Sequence, residues 1–392
     1  MKKSIFLPFM MVTLTTGSLM GIILNKKQLV SKSFSQQNEY HLSLSSLNGK
    51  VNDNTPSRDR KTTSGYTNNN NSVSMEYYRG IGTSNKVVTL LSNGYYRLAT
   101  PIYGISSISL SLSNLTNYQD DDLIIYYGAY LRCDEVGESY LVKSSEVNST
   151  ITINDIDNAQ YMMIKNLSEN NITIDNIDIT YTCSSISNNL LALDKDDHII
   201  DNALVATFNT DHYEISKYNS TSLSSAVKVY IPEYILNGDT LYPVSKISVP
   251  SGTFTRNATN LETLYLPETL LEMDNAIFND SYSTKITSFT LPKNLSSGDA
   301  VYFLPRKTLL TLNYQCINYA SVNNTIASSN PIETINIAHD VTYLGKLFAG
   351  SLPISLTSIH YDGSSSEWDN LINNSHSSWS IASITSLMVF AE

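Results

Sequence analysis

Three groups of residues have the types and spacing that can do chemistry. Asp120, Asp121 and Asp122 are consecutive, and carboxylates in a turn supply the oxygen ligands calcium takes, the alternative being a solvated turn. His198 follows Asp196 and Asp197, a pairing used in acid–base catalysis. Within the polar turn Asp194–His198, however, such a group is far more often solvated loop. Cys133, Cys183 and Cys316 cannot all pair, so a Cys133–Cys183 bridge and three reduced thiols both stay open, and no spacing fits zinc. No G-x-S-x-G, H-E-x-x-H or P-loop stretch occurs. The expectation is therefore a chain without catalytic residues, metal ligands or cofactor, and not an enzyme.

The stronger signal concerns recognition. The phrase Leu261-Glu262-Thr263-Leu264-Tyr265-Leu266-Pro267 returns as Ile286–Pro292, Ile332–Ala338 and Leu356–Tyr361, with Leu309–Gln315 in between. The anchors Leu261, Ile286, Leu309, Ile332 and Leu356 fall 25, 23, 23 and 24 residues apart, the period of a solenoid. Within each phrase Leu264 and Leu266 alternate with Tyr265, so the leucines face inward from a strand. Proline lacks the N–H that a ladder needs and ends the strand. Phe254, Phe278, Phe303 and Phe348 precede the next anchor as buried plugs. No single turn can bury its own apolar face, so the turns must stack.

The residues between the inward pairs then form an outward column in which Lys228, Tyr230, Lys246, Tyr265, Thr290, Asn313, Asn336 and His360 are the candidate ligand face. Tyr230 and Tyr265 cannot be core without a one-residue slip, so their rings are expected to meet solvent or a ligand.

The phrase "L-E-T-L-Y-L-P…F" and the closing "I-H-Y-D-G-S-S-S-E-W" resemble the BspA-type leucine-rich repeats of secreted and surface proteins of bacteria and protists, over about residues 220 to 380. That resemblance implies a binding role, in adhesion or in protein or glycan contact.

Other elements position this face. Lys2 and Lys3 precede a charge-free stretch from Ser4 to Leu24, which reads as a cleaved export signal or a retained signal-anchor. Residues 25–74, rich in Ser, Asn and Thr, read as a disordered tether. Short alternating runs between Met75 and Cys183 predict a β-sandwich of the jelly-roll kind. Residues 184–225 cap the first repeat, 226–361 hold the repeats, and 362–392 close them with a Ser364…Glu367 capping box before Trp368 and Leu371. The fold class is thus mainly β: signal, tether, sandwich, then a solenoid with a parallel sheet.

The net charge of −11, without a Lys/Arg stripe, argues against nucleic acid. The partner expected is an extracellular protein or glycan, with membrane contact only through an uncleaved N-terminal segment. The chain is expected at the cell surface or secreted. The rival is an exported polysaccharide- or peptide-acting enzyme or accessory, with the sandwich as its carbohydrate-binding module.

Overall fold

The computed structural model describes residues 40–45, 50–53, 55, 60–66, 72–83, 85–113, 115, 117–157, 159–182, 190–238, 240–273, 277–278, 283–298, 304–348, 351–379 and 382–391. The expected export signal (1–24), Cys183 and the Phe303 plug lie outside the described residues. Among the described residues, no helix is long and apolar enough to cross a membrane.

The first domain is all-β and antiparallel. Its strands are Tyr40–Leu44 (β1), Lys61–Tyr66 (β2), Ser72–Ile81 (β3), Val88–Leu98 (β4), Ile105–Ser113 (β5), Leu123–Gly128 (β6), Glu138–Leu141 (β7), Ile151–Ile153 (β8), Tyr161–Asn166 (β9) and Ile172–Tyr181 (β10), with a one-turn helix Cys133–Val136 (α1) between β6 and β7. Hydrogen bonds run in the order β7-β6-β9-β4-β10-β5-β8, with β1 on β10 and β2 on β3, itself on β4.

This is one continuous ten-stranded sheet, not the two separate sheets expected of a sandwich. The reason is β4, whose first half pairs with β10 and whose second half pairs with β9. The sheet therefore branches at β4, and Leu42, Met75, Leu90, Leu98, Ile108, Leu123, Ile164 and Ile177 meet in a single apolar cluster.

The tether reading fails over part of its length. β1, β2 and the beginning of β3 fall inside residues 25–74, and Leu42, Leu44 and Val51 are fully buried. Alternating Leu42 and Leu44 against polar His41 and Ser43 puts one face of β1 on the core, which outweighs the polar composition around it.

The second domain is a coil whose described strands form four sheets on two sides. Its strands are Leu191–Leu193 (β11), Leu204–Asn209 (β12), His212–Tyr218 (β13), Lys228–Tyr230 (β14), Tyr234–Asn237 (β15), Thr240–Ile247 (β16), Thr263–Tyr265 (β17), Glu272–Met273 (β18), Ser288–Leu291 (β19), Ser297–Gly298 (β20), Thr311–Tyr314 (β21), Asn318–Ile326 (β22), Thr334–Ile337 (β23), Tyr343–Phe348 (β24), Ser358–Tyr361 (β25) and Met388–Phe390 (β26). One side carries the sheet β11-β14-β17 and then the sheet β19-β21-β23-β25-β26. No ladder joins β17 to β19 among the described residues, although Lys285 N–H donates to Leu261 O at 2.8 Å beside them. The other side holds β12-β13-β16-β18-β20 and the pair β22-β24.

The repeat register is as the phrase requires. Thr311, Thr334 and Ser358 stand side by side, as do Asn313, Asn336 and His360, in parallel ladders. Leu261, Ile286, Leu309, Ile332 and Leu356 are all buried in one cluster with Phe254, Phe278 and Phe348. Phe278 lies 6.1 Å from the Phe254 ring and 5.6 Å from Phe289, so the plugs touch across turns.

Both ends of the coil are closed. β11 lies antiparallel on β14, and Leu193 bridges Ile199. At the far end Ser364 caps helix Ser365–Asn374 (α2) through a complete capping box, with Trp368 and Leu371 buried. The expected cap also contains β26, which adds a parallel strand to the repeat sheet.

Candidate ligand-binding face

The outward column exists, but its two halves have different fates. Tyr230 and Tyr265 do sit side by side with their neighbours in the expected register. They are nevertheless only 3% and 2% exposed, because the first domain covers them. Tyr130, from the loop after β6, places its ring 5.4 Å from Tyr230 and 5.1 Å from Tyr265. The Arg132 guanidinium lies 4.3 Å above the Tyr265 ring, a cation–π contact in a dry site. Arg132 N–H donates to Tyr265 Oη at 3.2 Å, and Arg132 Nη2 donates to Leu266 O at 2.8 Å. The tyrosines thus meet neither solvent nor a ligand. They meet the same chain.

Around this aromatic contact runs a set of ion pairs between the domains. Arg97 Nη2 reaches Glu76 Oε1 at 2.7 Å within its own domain and Glu268 Oε2 at 3.0 Å across the interface. Lys293 Nζ bridges back to Glu76 at 3.3 Å. Arg60 grips Asp340 with two nitrogens at 2.7 and 2.8 Å and donates to Gln315 O at 3.3 Å. Tyr95 donates to Glu76 at 2.7 Å, and Tyr78 donates to Asp362.

Burial pushes the Glu268 carboxyl up, but Arg97, Arg60, Arg132 and Lys293 outweigh it and hold it down at about 2. Glu233, under Tyr265, shows the reverse balance. It accepts from the Tyr265 hydroxyl, its Oε2 has no partner, and burial raises it to about 7 despite Tyr265 and Arg132. Between these groups lies a polar cavity of about 160 Å³, lined in part by Arg60, Arg97, Arg132, Glu268 and Asp340.

The other half of the column is open. Asn313, Asn336 and His360 line a groove of about 370 Å³ with Gln315, Asp362, Val389 and Phe390. Asn336 and Asn313 are half-buried, His360 is exposed, and Val389 keeps 45% of its surface. Thr290 marks the border: buried, it contacts Glu135 of α1 at 3.3 Å and receives Asn313 Nδ2 at 3.1 Å. Asn336 Nδ2 in turn donates to Asn313 Oδ1 at 2.8 Å. His360 Nε2 lies 3.2 Å from Ser358 Oγ.

Of the two lysines of the expected face, Lys246 leaves it and Lys228 is tied down. Lys246 is on β16, on the other side of the coil, where its ammonium lies 3.5 Å from Glu272. The 34 residues between Tyr230 and Tyr265 contain the hairpin β15–β16, so Tyr230 pairs directly with Tyr265 and Lys246 has no place between them. Lys228 stays on the face, but its ammonium is held by Asp197 at 2.6 Å.

The other candidates resolve simply. Asp120 accepts from the backbone and hydroxyl of Ser144, and Asp122 accepts from Gln119 N–H, so the triplet serves turns and its carboxylates do not converge. His198 faces Asp194 at 3.3 Å, and Asp194, Asp196 and His198 bring their ligand atoms within 4.8 Å of one another on an exposed turn. Asp194 Oδ1 is already used by the backbone N–H groups of Asp196 and His198. Cys133 and Cys316 are free, buried thiols, and burial pushes both well above their usual range.

Sequence reasoning missed Arg97, Arg132, Glu135 and Glu268. One signal was available: Glu268 and Lys293 each directly follow a strand-ending proline.

No protein-family model matches the chain, and no curated protein matches it. Among solved structures, a leucine-rich repeat protein from Bacteroides ovatus is similar to it at 17% identity and a TM-score of 0.14; the match covers 43% of this chain and 65% of that one, less than two thirds of its length.

Proposed function

We propose that this chain is a secreted or surface-displayed binding protein with repeats of the BspA-like leucine-rich kind, and that it holds an extracellular protein or glycan ligand in the open half of its repeat sheet. The observation that carries this reading is the groove of Asn313, Asn336 and His360. Side chains in strict parallel register present amide and imidazole groups beside the apolar Val389 and Phe390, the mixture of a few placed polar groups and apolar wall that binding sites use. The first domain serves as a rigid shoulder that fills the other half of the face. Residues 1–24 deliver the chain across a membrane.

The test uses the full chain on arrays of extracellular matrix proteins and glycans. Attachment lost on replacing Asn336 by Leu and His360 by Ala, with an unchanged melting curve, supports the groove. Attachment that survives both replacements moves the ligand elsewhere.

A further inference from the structure

The polarity of the groove follows from the way its hydrogen bonds begin. The Thr290 hydroxyl donates to Glu135 Oε1 at 3.3 Å, which commits its one proton there. Thr290 Oγ1 can then only accept from Asn313, which turns Nδ2 of Asn313 toward it at 3.1 Å. That orientation leaves Asn313 Oδ1 on the far side, where Asn336 Nδ2 donates to it at 2.8 Å. The chain of bonds runs one way, every donor pointing back toward Glu135, and polarisation along such a chain strengthens the acceptor at its free end. That end is Asn336 Oδ1, which has no partner among the described residues and lines the groove.

Charge points the same way. Asp362 is the one acidic residue lining the groove among those described, and no lysine or arginine lines it. One Asp362 oxygen takes the Tyr78 hydroxyl, and none of the groove's own residues neutralises it. The whole chain carries −11, which repels anions before contact. An anionic ligand finds no lysine or arginine in the groove's lining.

We propose that the groove recognises a protonated amine or guanidinium group, with Asn336 Oδ1 and the Asp362 carboxylate as its acceptors. This rests on the binding reading above and names the ligand chemistry of the same groove. Such a group is carried by lysine and arginine side chains of a polypeptide and by free amino sugars.

The experiment titrates the full chain with four probes, argininamide, glucosamine, N-acetylglucosamine and acetate, by ligand-observed NMR at physiological salt, with melting curves for each variant. Argininamide and glucosamine are expected to bind, and N-acetylglucosamine, which lacks the charge, at least about tenfold more weakly; acetate does not bind. Asn336→Leu and Asp362→Asn each weaken the cationic probes about tenfold, the loss of one charge-assisted bond. Tighter binding of argininamide than glucosamine assigns the source to a polypeptide, and the reverse assigns it to an amino sugar. N-acetylglucosamine binding as tightly as glucosamine, and weakened by Asn336→Leu, overturns the charge preference but leaves the groove as the site. Cationic binding untouched by Asn336→Leu and Asp362→Asn overturns the inference and the groove together.

Discussion

The two halves of the repeat sheet are built alike and used differently. Tyr230 and Tyr265 occupy the same outward slots as Asn313, Asn336 and His360, yet the first pair is sealed by Tyr130 and Arg132 while the others line an open groove. The difference lies in what each half offers a partner. Large aromatic rings supply the apolar area that makes burial favourable. Side-chain amides gain little from burial and are expensive to strand. The face of the repeat strands is therefore not one surface. Its aromatic stretch is a domain contact, and its amide stretch is the open groove in which we propose that a ligand binds.

Replacing Tyr230 and Tyr265 together by Ser breaks the comparison most severely. Aromatic truncation in a core costs about 3 to 5 kcal/mol, and these two share Tyr130, so the pair should cost about 5 rather than the sum. Denaturant unfolding checks it; a change below about 1 kcal/mol would place the rings in solvent.

The ionic rim comes next. Arg97→Ala removes the ion-pair partner of buried Glu268 and one of the partners of Glu76, and should cost about 3 to 5 kcal/mol, as single-partner removal from a buried pair does. Restoring most of that loss by adding Glu268→Gln would confirm that the stranded charge, and not lost packing, sets the cost.

Titration separates the halves a third way. Burial raises Glu233 to about 7, so the folded chain keeps a proton that the unfolded chain releases near its ordinary value. Its contribution to stability is fully present below about 4.5 and is lost as pH rises through 7. Glu233→Gln should therefore stabilise the protein by about 3 kcal/mol at pH 8 and by almost nothing at pH 4. A gain equal at both values would mean Glu233 does not titrate beneath Tyr265.

The smallest effect belongs to the open half. His360→Ala should leave stability within about 0.5 kcal/mol of the parent, as exposed substitutions do. A larger loss would mean that His360 is structural.

What was legible in the sequence divides along physical lines. Periodic burial has a local signature, so strands such as Ile172–Tyr181 and the buried anchors Leu261 to Leu356 follow from alternation and spacing. The closing capping box was equally readable, because its two residues lie one turn apart. β1 was hidden, since only Leu42 and Leu44 stand out in a Ser- and Asn-rich stretch. Lys246 went to the wrong sheet because an inserted hairpin keeps the local pattern while breaking the stacking. Domain docking left the least trace: Arg97 meets Glu268 across 171 residues, and Arg60 meets Asp340 across 280. Such pairs carry no period. The outward direction of Tyr265 was legible, and what it faces was not.

Hydroxyl-radical footprinting of the full chain, read residue by residue by mass spectrometry, measures the division of the face directly. Tyr130, Tyr230 and Tyr265 should be protected as strongly as buried Phe278, while His360 and Val389 react at the rate of exposed side chains. Oxidation of Tyr265 as fast as His360 in the folded protein would contradict the account, because the two halves of the sheet would then be equally open.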